Sequence, residues 1–150
     1  MPIVDEVSAA IAGAMRKQDH ATLSALRMLK AALINRAVEK ARGLDDSEAR
    51  QVVSSLVKQR KDSIEQFTKG GRQDLADKEA AEIVVLESYL PPPADLAALE
   101  RAVAEAIAET GAASPKDMGR AMKAAMAKLA GQNVDGKAVN ELVRTKLGGG

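Results

Sequence analysis

The chain has no cysteine and no tryptophan, and only one tyrosine, one phenylalanine and one histidine among 150 residues. Without cysteine there is no disulfide, thiolate nucleophile or thiolate metal site, which fits a reducing compartment and makes the cytoplasm the expected location. Strand composition is also missing, because β-branched and aromatic residues occur without sustained alternation. The lone His20 cannot build a histidine metal cluster, and beside a candidate cap it reads as a solvated turn residue rather than part of a Ser-His-Asp triad. No stretch approaches the roughly 18 apolar residues of a membrane span. The amino terminus, Met1 to Glu6, shows neither a basic flank nor a long apolar run, so a soluble chain without membrane contact is expected.

What remains is the material of helix bundles: Ala, Leu, Val, Ile and Met carry the apolar content, in a chain long enough for one ordinary domain or two small ones. The formal net charge of +1 hides an uneven distribution. Residues 1–91 hold 14 basic and 14 acidic side chains, residues 92–115 hold 1 and 4, and residues 116–147 hold 7 and 3, so the positive charge gathers at the carboxyl end.

Apolar spacing places a first helix after Pro2, with Ile3, Val7, Ile11 and Met15 inward, to about Lys17. Asp19 is the expected N-cap of a second helix, striped by Leu23, Leu26, Leu29, Leu33, Ile34 and Ala37, with Gly43 as its stop. Asp45-x-x-Glu48 forms a capping box for a third helix reaching about Lys69. Gly70-Gly71 breaks it, and Asp74 is expected to cap a fourth helix that ends at Tyr89-Leu90-Pro91. Pro91, Pro92 and Pro93 cannot continue a helix and mark a boundary. Beyond it, Leu96, Leu99, Val103 and Ile107 define a fifth helix ending at Gly111. Ser114-Pro115-Lys116-Asp117 starts a sixth, with Met118, Met122, Met126 and Leu129 on one face. Asp135 caps a seventh, with Val139, Leu142, Val143 and Leu147 inward, and Gly148 to Gly150 are expected to fray. The fold class is therefore all-α: an amino-terminal four-helix bundle, residues 1–91, followed by a small carboxyl-terminal three-helix domain, residues 92–150.

Two groups of charged residues stand out. At about 100° per residue, Arg60 shares the apolar sector of Val53, Leu56, Val57, Ile64 and Phe67, while Glu79 and Glu82 share that of Leu75, Ile83, Leu86 and Leu90. With Lys30 inside the second helix's stripe, these four are candidates for a core ion-pair network. The second group is the basic face of the sixth helix, Lys116, Arg120 and Lys123, opposite its Met stripe, with Lys137 and Arg144 as extensions and Lys128 and Lys146 nearby; such a face can contact phosphates or be plain solvated surface. Gly70-Gly71-Arg72 lacks the preceding strand and following Lys-Ser/Thr of a phosphate loop and reads as a helix stop. No catalytic residue, metal site or cofactor is expected.

Several segments in order resemble the GatB/YqeY-like proteins across nearly the whole chain: Leu26-Arg27-Met28-Leu29-Lys30-Ala31-Ala32-Leu33, Lys58-Gln59-Arg60-Lys61-Asp62-Ser63-Ile64, Gly71-Arg72-Gln73-Asp74-Leu75-Ala76 and Leu86-Glu87-Ser88-Tyr89-Leu90-Pro91. Lys116-Asp117-Met118-Gly119-Arg120 and Asp135-Gly136-Lys137-Ala138-Val139-Asn140 look like the family's terminal motif. The resemblance implies a stand-alone relative of the tail domain of GatB, a component of the glutamine-dependent tRNA amidotransferase, in which the tail helps hold tRNA while other domains carry the chemistry. It also implies the inherited description of a carbon–nitrogen ligase with glutamine as amido-N-donor. Because the chain shows no amidase Ser-Lys arrangement, ATP loop or zinc ligands, it is expected not to be catalytic alone. The implied partners are tRNA and an amidotransferase or other tRNA-handling enzyme. The alternative is a protein-interaction or structural helical module without nucleic-acid binding. One segment departs from the family pattern: Gly131-Gln132-Asn133-Val134 stands where the tail tends to have Gly and then a basic residue.

Overall fold

A computed structural model describes residues 1–148, and among these residues it contains seven α-helices and no strand. They are α1 (Ile3–Lys17), α2 (His20–Lys40), α3 (Asp46–Lys69), α4 (Gln73–Glu87), α5 (Leu96–Thr110), α6 (Met118–Lys128) and α7 (Gly136–Lys146), with a 3-10 turn, Pro115–Asp117, leading into α6. The chain divides into two compact units, Met1–Pro91 and Pro92–Gly150. The expected fraying of the last glycines falls, for Gly149 and Gly150, outside the described residues.

In the first unit the core gathers Ile3, Val7, Leu29, Leu33, Val52, Val53, Val57 and Leu86. A smaller cluster of Ala14, Leu23 and Leu26 packs with Tyr89. Two expected core positions lie at the surface instead: Met15 is 54% exposed and Ile34 49%. The reason is angular, since α1 buries Ala14 and α2 buries Ala25, so each helix turns its centre of contact away from the larger residue.

The helix ends show where local chemistry decides. Asp19 accepts from the Thr22 N–H and caps α2. At the start of α3 the Asp45 carboxylate accepts from the Glu48 N–H at 2.8 Å and the Glu48 carboxylate accepts from the Asp45 N–H at 3.1 Å, a reciprocal capping box. Pro2 has no side chain able to cap α1, and the Ile3 N–H donates instead to Asp46 of α3 at 3.0 Å. Gly43 does not stop α2; Ala41 does, at φ 57°, with the Arg42 N–H reaching back to the Ala37 carbonyl. That is the left-handed closing turn usually given to glycine, which α3 assigns to Gly71 at φ 74°. Asp74 is likewise not the cap of α4, which starts one residue earlier. Asp74 sits in its first turn and binds Arg72 at 3.0 Å.

The second unit is built on Leu99, Val103, Ala106, Ala121, Ala125, Leu129, Val139, Val143 and Leu147. Small residues, rather than methionines, form the centre of α6's inward face: Ala121 and Ala125 are fully buried, and Met118, Met122 and Met126 are half-buried flanks. Both alanines belong to the core on which α5 and α7 pack against α6. The Gly131–Val134 segment has a backbone role, because the Ala94 N–H donates to the Asn133 carbonyl at 2.9 Å and ties the entry of α5 to the loop before α7.

Candidate nucleic-acid interface

The capping segment that starts α6 fixes the geometry of the basic face. One carboxylate oxygen of Asp117 accepts from the Ala113 N–H at 3.0 Å and from the Ser114 N–H at 3.4 Å, so the turn closes on Asp117 before the helix begins. These backbone donors, with the Arg120 guanidinium, hold the Asp117 carboxyl below its ordinary range. Burial of Ala121 and Ala125 then turns Arg120 and Lys123 to the opposite side of α6, where both are exposed, whereas Lys116, expected on the same helix face, lies in the preceding 3-10 turn and is exposed there.

The cations on this unit are not equivalent. Arg120 Nη2 donates to the second Asp117 oxygen at 2.8 Å, and its Nη1 donates to the Thr110 carbonyl at the end of α5 at 3.2 Å. Arg144 is held by Glu141 and Asn140 on its own helix, both at 3.3 Å. Lys128 leaves the basic face altogether and binds Glu109 at 2.6 Å and Glu105 at 3.7 Å on α5, which raises its pKa, chiefly through the hydrogen bond to Glu109. Among the described residues no carboxylate pairs with Lys116 or Lys123. Lys137 is exposed at the start of α7, where Asp135 caps its N–H at 3.0 Å. The sequence places these residues on one surface without revealing that Asp117 and Glu141, three residues earlier, hold the two arginines.

The charged group of the first unit is arranged differently. Arg60 is 6% exposed; its Nε donates to Glu82 at 3.0 Å, Glu79 lies 3.9 Å away, and Nη1 donates to the Leu56 carbonyl at 3.0 Å. Nη2 lies against the Met28 sulfur of α2. The structure therefore brings Arg60, Glu79 and Glu82 together, whereas Lys30 is half-buried and makes no ion pair among the described residues. The same unit also holds an open cleft of about 390 Å³, not foreseen from the sequence, between α1, the start of α2 and the end of α4. Gly13, Lys17, Thr22, Val85 and Tyr89 line it, and the only sequence signal was a glycine inside a helical pattern. Among the described residues no group of three or more His, Cys, Asp or Glu side chains is placed to hold a metal ion. No described helix is long and apolar enough to cross a membrane.

An all-helical chain of two compact units, with an outward basic face on α6 and a buried arginine between two carboxylates, is the class that fold and geometry define. The chain belongs to the Yqey-like protein family, whose model matches residues 4–147, and this is the family of the GatB carboxyl-terminal-like domain. It is similar to "Altered inheritance of mitochondria protein 41, mitochondrial" of Lachancea thermotolerans, with 31% identity over 105 residues, 68% of this chain and 56% of that protein. The protein of the same name from Kluyveromyces lactis is 38% identical over 77 residues, 51% of this chain and 42% of its own length. The one from Pyrenophora tritici-repentis is 25% identical over 151 residues, 97% and 81% respectively. The chain thus spans about half the length of the first two relatives. Their names overturn the expectation of a cytoplasmic location, since all three are named as mitochondrial proteins. The physical basis of that expectation was too broad: lack of cysteine suits any reducing compartment and does not single one out.

Proposed function

We propose that the chain is a non-catalytic helical module that contacts tRNA through the α6 face of its carboxyl-terminal unit and serves a tRNA-handling partner enzyme, with amidotransfer as the reaction class suggested by the family. We further read the two units as domains, an amino-terminal four-helix bundle and a carboxyl-terminal three-helix domain. The observation that carries the reading is the exposure of Arg120 and Lys123 on the side of α6 opposite the buried Ala121 and Ala125, with Lys116 exposed in the turn just before the helix. Lys137 and Arg144 extend the same unit's positive charge.

Such a surface suits folded RNA, where contacts to phosphates and 2′-hydroxyls position a protein without reading bases. With one Tyr and one Phe in the chain, stacking adds little, so charge dominates the affinity, in the micromolar range or weaker at physiological salt. Replacing Lys116, Arg120 and Lys123 together by Ala is expected to abolish tRNA retention in a gel-shift or filter assay while leaving the helical circular dichroism intact. Equal retention by the folded triple variant refutes the assignment and leaves the interaction-module reading.

A further inference from the structure

The basic face carries its own competitor. Arg120 is 61% exposed at its side chain, yet its guanidinium is held at both ends, by Asp117 at 2.8 Å and by the Thr110 carbonyl at 3.2 Å. Asp117 cannot readily swing away, because its other oxygen receives the Ala113 and Ser114 N–H groups of the turn. The clamp is therefore part of the helix start. Lys116 and Lys123 have no such restraint: each ends in a compact ammonium on a flexible stem, with no carboxylate partner among the described residues.

We infer that Asp117 regulates this interface by keeping Arg120 from phosphate, so that Lys116 and Lys123 supply the resting affinity and Arg120 joins only when it is released from the clamp. This rests on the RNA reading above and adds to it a named acidic residue that weakens binding. The physical reason is an exchange. For Arg120 to meet a phosphate it must give up a charge-assisted hydrogen bond at close range, and the gain from the new contact is offset by the loss of the old one. The Asp117 carboxylate, left beside the incoming phosphate, adds repulsion. A cation held in this way contributes little to counterion release.

The test is a titration of the full chain with tRNA across a salt series, for wild type, Asp117→Asn, Arg120→Gln and the double variant. Asparagine keeps an oxygen that can accept from the turn, so the start of α6 is preserved. Asp117→Asn is expected to bind several-fold more tightly and to steepen the fall of log K with log salt by about 0.9, the increment for one further neutralised phosphate. The loss caused by Arg120→Gln should be smaller in the wild-type background than in the Asp117→Asn background. Should Asp117→Asn lose helix content, Arg120→Lys gives the same readout, because an ammonium cannot span both acceptors as the guanidinium fork does; it too should steepen the slope. An unchanged affinity and slope in a folded Asp117→Asn or Arg120→Lys variant overturns the clamp. Side-chain nitrogen NMR of Arg120 separates the two ideas. Hindered guanidinium rotation that is released by Asp117→Asn, with no variant binding tRNA at low salt, supports the clamp and overturns the RNA reading; free rotation in the wild type overturns the clamp directly.

Discussion

At the scale of single residues, Arg60 shows how a charge is kept inside a small helical core. Its three nitrogens meet a carboxylate, a backbone carbonyl and a thioether, and no buried side-chain nitrogen or oxygen among the described residues lacks a hydrogen-bond partner. Truncation leaves Glu82, whose side chain is 13% exposed, without its cation in a desolvated site. Arg60→Ala is therefore expected to cost about 3 kcal/mol, read from urea unfolding midpoints. A paired replacement, Arg60→Met with Glu82→Leu, should recover most of that loss, because apolar groups of similar volume need no partner. An unchanged midpoint in Arg60→Ala would show that the pair is not coupled to the fold. This arrangement was legible in part: helical phase alone put Arg60, Glu79 and Glu82 on facing apolar sectors. Phase could not place Lys30, whose long stem lets its ammonium leave the sector of its own Cα.

At the scale of elements, the junction between α2 and α3 is held by one carboxylate. Glu48, with 11% of its side chain exposed, receives a forked pair of bonds from Arg42 at 2.8 and 3.0 Å, a bond from Lys40 at 2.6 Å and the Asp45 N–H. Arg42 first, then Lys40 and the Asp45 N–H, hold its carboxyl far below the ordinary value of 4.5. The sign follows from linkage: a carboxyl whose folded pKa is depressed contributes stability that is fully present above its unfolded pKa and is lost as pH falls through the folded one. Wild type should therefore exceed Glu48→Gln in thermal midpoint at neutral pH, and the two should converge as the solution is acidified below the ordinary carboxylate range. A gap that stays constant with pH would remove Glu48 as the cause. The capping box was readable because its two partners lie three residues apart. Arg42 and Lys40 were not, since a loop conformation brings them there, and the same loop made Ala41 rather than Gly43 the left-handed residue. Helix existence followed from apolar period, whereas helix ends depended on left-handed turns that Ala41, at φ 57°, and Gln18 at the end of α1, at φ 56°, here share with glycine.

At the scale of the whole molecule, Pro91 to Pro93 separate two sets of contacts, and the change in composition there was visible in the sequence. If the units are domains, limited proteolysis should cut near Pro91 to Asp95 before it cuts within helices, and a fragment of residues 92–150 should remain helical with marginal stability at that length. A single cooperative transition with no early cut would argue for one fused domain. The exposure of Arg120 and Lys123 was legible from helical phase, because burial of one side of α6 forces the other side out, but the placement of Lys116 in the 3-10 turn and the convergence of Thr110 and Asp117 on Arg120 were not, since both depend on three-dimensional placement. The central claim, that this outward face binds folded RNA by charge, is tested most directly by measuring wild-type affinity for tRNA across a salt series. Binding at low salt is expected, with a linear fall of log K with log salt of slope about −2, one phosphate for each of Lys116 and Lys123. Absence of binding at low salt, or an affinity indifferent to salt, would contradict it.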